Sequence, residues 1–177
     1  MAVFPLGQEK SQSERVAAAG GKPPAAEVTL GVYVHVPFCA TTCDFCAFYQ
    51  TVPKADAVPR YLAGIASETR LVDRGGRRVE TAFWGGGTPG LLRAGELEQL
   101  GRTMLDFCGA VPREWTVEMA PATVTAERLR ALRDLGVTRI SLGVQSFDEA
   151  LLDGLGRQHT PRQVYRAYEL IRETGFP

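Results

Sequence analysis

The sequence has no net charge. Its 20 Lys and Arg balance 20 Asp and Glu, so no global field draws the chain to nucleic acid or to an anionic membrane. Long apolar runs are missing too: the longest are a few residues, against the ~20 that span a bilayer. No basic segment precedes the apolar start at Met1 to Gly7, and Gln8, Glu9 and Lys10 end that run too soon for a signal peptide. There is also no second cysteine pair of the kind that completes a common zinc site. These absences set aside nucleic-acid binding, a membrane span and export. They leave the expectation of a soluble, cytoplasmic, one-domain protein, 45% hydrophobic and 23% charged over 177 residues.

What is present is concentrated in eight residues, where Cys39, Cys43 and Cys46 follow His35-Val36-Pro37-Phe38. Three thiolates can hold a metal centre and leave one coordination position open for a substrate or second cofactor. In a reducing compartment such thiols stay free for metal.

The surrounding pattern places this cluster on a strand end. Residues 1–27 carry Gly20-Gly21 and Pro23-Pro24 without a sustained apolar period, which reads as a flexible N-terminal tail. From Val28 to Val36 apolar and other residues alternate, so a strand is expected, ended by Pro37, with Tyr33 and His35 on one face. A helix is expected over 55–73, stopped by Gly75-Gly76. A strand follows from Val79 to Trp84, then the loop Gly85-Gly86-Gly87-Thr88-Pro89, then a helix over 95–108 in which Cys108 is a core thiol. Glu114 to Met119 and Val137 to Val144 read as further strands. Thr125 and Asp148 are candidate helix caps, Gly136 suits a helix C-terminus, and Thr160-Pro161 opens a last helix. About four strand-helix units in residues 28–177 call for an α/β fold with a parallel sheet, a partial (β/α) barrel that stops short of the ~250 residues of a complete one. In such folds the reactive face lies at the strand C-termini, and those ends carry the cysteine loop, the glycine triplet, Glu118 and Gln145.

Cys-x3-Cys-x2-Cys after a strand, with an aromatic before the last cysteine, resembles the cluster motif of the radical S-adenosylmethionine (SAM) superfamily. Tyr33 to Cys39, Gly85 to Pro89, Ser141 to Phe147 and Leu155 to His159 narrow the resemblance to the oxygen-independent coproporphyrinogen III oxidase family, including its haem-chaperone (HemW-like) branch, over residues 28–177. The resemblance implies that Cys39, Cys43 and Cys46 ligate three irons of a [4Fe-4S] cluster, with SAM on the fourth iron and cleaved to a 5′-deoxyadenosyl radical by one electron from the cluster, and an electron donor as a partner. It further implies that Tyr33 and Phe45 line the SAM site, that backbone at Gly86, Gly87 and Thr88 approaches the methionine part, and that Glu118, Gln145 and Arg157 make polar contacts. Haem or a porphyrinogen is the implied larger ligand, and a haem-acceptor protein the implied partner of a chaperone.

One departure bears on function. Where the decarboxylating oxidases carry a further cysteine two residues after the third ligand, this chain has Phe48, which favours the haem-chaperone branch over a coproporphyrinogen III dehydrogenase. Plainer readings stand beside these. The cysteines could form a zinc or thiol module with His35 or another fourth ligand, or the remnant of a longer enzyme. The glycine triplet could be a tight turn, Glu118 and Arg157 surface ions, Gln145 a strand end, and Tyr33 and Trp84 barrel packing. His35 reads as a hydrogen-bonded structural residue and not a ligand.

Overall fold

The computed structural model describes residues 1–6 and 28–177. Its centre is a five-stranded sheet in the order β1 (Ala2–Leu6), β2 (Thr29–Val36), β3 (Val79–Gly86), β4 (Glu114–Met119), β5 (Arg139–Leu142). Strands β2 to β5 run parallel, each beside its predecessor, while β1 pairs antiparallel with β2. Helices α1 (Ala57–Leu71), α2 (Ala94–Cys108) and α3 (Ala126–Asp134) pack side by side in that order. After the short α4 (Glu149–Gly154), α5 (Pro161–Glu173) packs on α3. Strands and helices both advancing in chain order make an arc of a (β/α) barrel, whereas a doubly wound sheet reverses its order at a switch point.

The period-two pattern of β2 sends Leu30, Val32, Val34 and Val36 into the core and leaves Tyr33 and His35 on the concave face. Trp84 and Trp115, both fully buried, meet edge to face at 5.2 Å between ring centroids, in one core with Leu97, Leu100, Met104, Leu129 and Leu132. Trp84 is therefore packing. Cys108 is buried on α2, where loss of hydration pushes its thiol up to about 11.

The caps are those the sequence announces. The side chains of Thr125, Asp148 and Thr160 accept from the backbone N–H groups of Arg128, Leu151 and Gln163 at the starts of α3, α4 and α5. Gly136, at φ +92°, follows the end of α3.

Three expectations need correction. The tail was to include residues 2–6, but Ala2–Leu6 forms β1. This run is apolar enough for Met1 and Val3 to pack on the core, Pro5 is tolerated on an edge strand, and the Met1 ammonium meets both carboxylate oxygens of Glu68 at 3.0 Å. Residues 7–27 of the expected tail lie outside the described residues. The last strand is shorter than 137–144 because the Val144 N–H turns back onto the Leu142 carbonyl at 2.9 Å. And α1 ends before Gly75-Gly76, with Val72 already extended and Asp73 accepting from the Gly75 N–H at 2.7 Å.

Trp84→Ala should lower stability by about 3–5 kcal/mol, the usual cost of truncating a large buried aromatic. Denaturant unfolding followed by circular dichroism measures it.

Candidate cofactor site

The site is built where the chain leaves β2. Gly87 N–H donates to the Val36 carbonyl at 2.8 Å and Thr88 N–H to the Phe38 carbonyl at 2.7 Å, carrying the β2–β3 pairing past the end of both strands. From the opposite edge, Thr51 N–H donates to the Pro37 carbonyl at 2.8 Å and Cys39 N–H to the Thr51 carbonyl at 3.1 Å. The loop between Cys39 and Thr51 is thus pinned at its base from both sides. Gly87 has to be glycine for this: a Cβ there would lie 2.7–2.8 Å from backbone atoms of Val36, Pro37 and Phe38, which no side-chain rotation can relieve.

His35 braces the same loop from below. Its Nε2 lies 2.8 Å from the Tyr49 carbonyl, an acceptor only, so Nε2 carries the proton. In the neutral ring Nδ1 then accepts from the Tyr33 hydroxyl at 3.1 Å. Gly86, at φ +100°, makes room for this imidazole, which a Cβ would strike. Both ring nitrogens are engaged within the protein, as expected of a structural histidine.

Above these residues lies a cavity of about 280 Å³. Cys39, Cys43 and Cys46 line it together with Phe45, Gly86, Gly87, Thr88, Glu118, Gln145 and Arg157. Tyr33 does not reach its wall; it stacks on Phe83 and supports His35. The walls also include Met119, the turn at Ala122 and Thr123, Ser141 and His159, which sequence reasoning did not single out. The signal available for most of these was their place at or near the C-terminal ends of β4 and β5.

The electrostatics favour anions on the cysteine side. Arg157 donates from Nη1 to the Cys43 sulfur at 3.3 Å and from Nη2 to the Gly143 carbonyl at 2.9 Å, while its Nε is buried with no protein partner among the described residues. Burial raises the Cys39 thiol, opposed by its contact with the Thr88 hydroxyl at 3.6 Å and by the charge of Arg157. Across the cavity, burial also raises Glu118, partly offset by the Gly86 N–H that donates to its carboxylate.

This donor set fits an iron-sulfur cluster: three thiols on one wall, a guanidinium beside one of them, and a spare buried N–H for a further acceptor. Among the described residues no three His, Cys, Asp or Glu side chains are gathered as a single metal ion would need. A cluster that takes one thiolate per iron asks for less convergence than a tetrahedral zinc.

Gln145 is the one non-glycine residue with positive φ, +64°, among the described residues. With Ser146 N–H donating to the Val144 carbonyl at 2.8 Å, it is the centre of a γ-turn of the strained hand.

A parallel-strand arc thus carries a three-cysteine loop after its first parallel strand and a glycine loop after the next, both at the strand ends where such folds place their ligands. The model of the Radical SAM superfamily matches residues 33–177, and the chain belongs to that family. Within it, the chain is 36% identical over 145 residues to the haem chaperone HemW of Lactococcus lactis, covering 81% of this chain and 38% of that protein. It is 36% identical over 156 residues to the oxygen-independent coproporphyrinogen III oxidase of Cereibacter sphaeroides, covering 84% and 34%. The solved structure of coproporphyrinogen III oxidase (HemN) from Escherichia coli, a radical SAM enzyme, superposes with a TM-score of 0.74 at 28% identity, covering 82% of this chain and 35% of that one. The chain thus spans well under half the length of these relatives.

Two outcomes are expected. Gly87→Ala should cost about 1–3 kcal/mol, the range for overpacking against atoms that cannot move aside, and thermal unfolding reads it. For Glu118, a carboxyl raised in the folded state favours folding while protonated and loses that contribution as pH rises from the ordinary glutamate range through the raised value. Glu118→Gln should therefore be more stable than the parent at neutral pH, with the difference shrinking toward pH 4; melting temperatures across pH 4–8 measure it.

Proposed function

We propose that the chain is the cofactor-binding core of a haem chaperone. Cys39, Cys43 and Cys46 ligate three irons of a [4Fe-4S] cluster, and SAM occupies the same cavity. The observation that carries this reading is the gathering of all three cysteines and seven of the eight expected SAM contacts around one cavity. When bound, the cluster supplies single-electron chemistry to SAM, with electrons from a separate donor.

The protein's part is placement and charge. Gly86 and Gly87 put backbone on the cavity wall, with the His35 ring and the chain leaving β2 taking the space of their absent side chains, and Thr88 presents its hydroxyl beside Cys39. Arg157 offers its buried Nε to a carboxylate and holds the Cys43 sulfur in place through Nη1. Glu118 faces the cavity as an acceptor suited to an amino or hydroxyl group. Gln145 adds an amide, and Phe45, half exposed on the cavity wall, an aromatic face. Tyr33 acts at one remove, through His35.

Haem is the proposed cargo and a haem-acceptor protein the proposed partner, on the strength of Phe48 and of the identity to HemW. A second reading, oxidative decarboxylation of a porphyrinogen, draws on the comparable identity to the Cereibacter oxidase. Haem binding with transfer to an apo-acceptor supports the first, whereas carbon dioxide release from coproporphyrinogen with 5′-deoxyadenosine formation would replace it by the second.

After anaerobic reconstitution the protein should hold about four irons and four sulfides, the content of one such cluster. Cys39→Ala, Cys43→Ala and Cys46→Ala should each lose most of both, and Cys108→Ala should lose neither. One equivalent of zinc without sulfide would overturn the cluster assignment.

A further inference from the structure

We propose that His159 is a positioning residue that holds Gln145 in its strained turn, and so sets the amide against the cavity; this rests on the reading of that cavity as a SAM site. His159 is 5% exposed, one of the few polar side chains buried among the described residues. Its Nε2 lies 3.0 Å from the Val144 carbonyl. A carbonyl only accepts, so His159 donates. The same oxygen accepts the Ser146 N–H that closes the turn around Gln145. Both lone pairs of that oxygen are therefore spent fixing one residue in the left-handed region, which costs a non-glycine residue about 1–2 kcal/mol.

The neighbouring carbonyl is held in the same way. Two residues before His159, Arg157 donates to Gly143. Residues 157 and 159 thus grip two successive carbonyls of the segment leaving β5, immediately before Gln145. Nothing else among the described contacts explains why a buried imidazole is spent on Val144, or why Gln145 is not a glycine. A side chain is wanted at that position, and it has to be held there.

The test uses the full chain with His159→Phe, which keeps a ring and removes both nitrogens, with His159→Leu as the alternative if the larger ring is not accommodated, and His159→Gln, which keeps a donor. Crystal structures and equilibrium SAM binding are measured for each. With the donor removed, Gln145 should leave the left-handed region and SAM affinity should fall roughly tenfold, the scale of coupling between residues in contact; His159→Gln should restore both. In a Gln145→Ala background, removing the His159 donor should weaken SAM no further. A Gln145 φ that stays near its parent value, or an equal loss in both backgrounds, overturns the proposal. If the parent binds no SAM but the turn still relaxes, the cavity reading fails while the positioning role of His159 stands.

Discussion

The close approach of the backbone at Gly87 to the chain leaving β2 is the constraint on which the site depends. Two hydrogen bonds from Gly87 and Thr88 extend a parallel pairing beyond the ordinary ends of β2 and β3, and they exist only because no Cβ intervenes. Their geometry fixes where the cysteine loop begins. It also brings Thr88 to Cys39, seats the His35 ring beneath Gly86, and lets the Glu118 carboxylate lie across Gly85 and Gly86 to accept from the latter. Remove that approach and four side chains from three strands lose their common reference.

Arg157 supplies the second brace, from 114 residues along the chain. Its guanidinium joins Cys43 to Gly143, while the neighbouring Gly156, at φ +66°, comes close to the Asp44 carboxylate. The cysteine loop is therefore held at its base by backbone pairing and on its flank by a charge. The two braces differ in consequence. Backbone pairing fixes where the loop starts, whereas the guanidinium fixes the place of one sulfur on it.

Much of this was legible before any coordinates. The alternation in β2, the caps at Thr125, Asp148 and Thr160, and the strand-helix repeat are local signals, and local signals survive into the fold when core packing agrees with them. What escaped is non-local. β1 is five residues with a proline, and only its partner β2 and the Glu68 carboxylate make it a strand. Tyr33 has the parity of the concave face, which sequence supplies, but its hydroxyl goes to His35 and not to the cavity, which parity cannot tell. His159 ends the Leu155 to His159 motif, but a sequence does not say which carbonyl a buried ring will meet. The γ-turn at Gln145 was equally invisible: glutamine carries no signal for positive φ.

The aromatics divide the molecule into a part that orders itself and a part that does not. Trp84 and Trp115 are wholly buried and fill the layer between sheet and helices. On the cysteine loop the opposite holds, with Phe45 49%, Phe48 69% and Tyr49 75% exposed. A loop that turns its large apolar side chains outward draws little stability from burial. Its order rests on the backbone pins at Thr51, Gly87 and Thr88, on the His35 bond to Tyr49, and on Arg157. A ligand that joined the three thiols would do for this loop what a hydrophobic core does for the sheet, and under the proposed cluster assignment its binding and the shape of the site would be one equilibrium and not two.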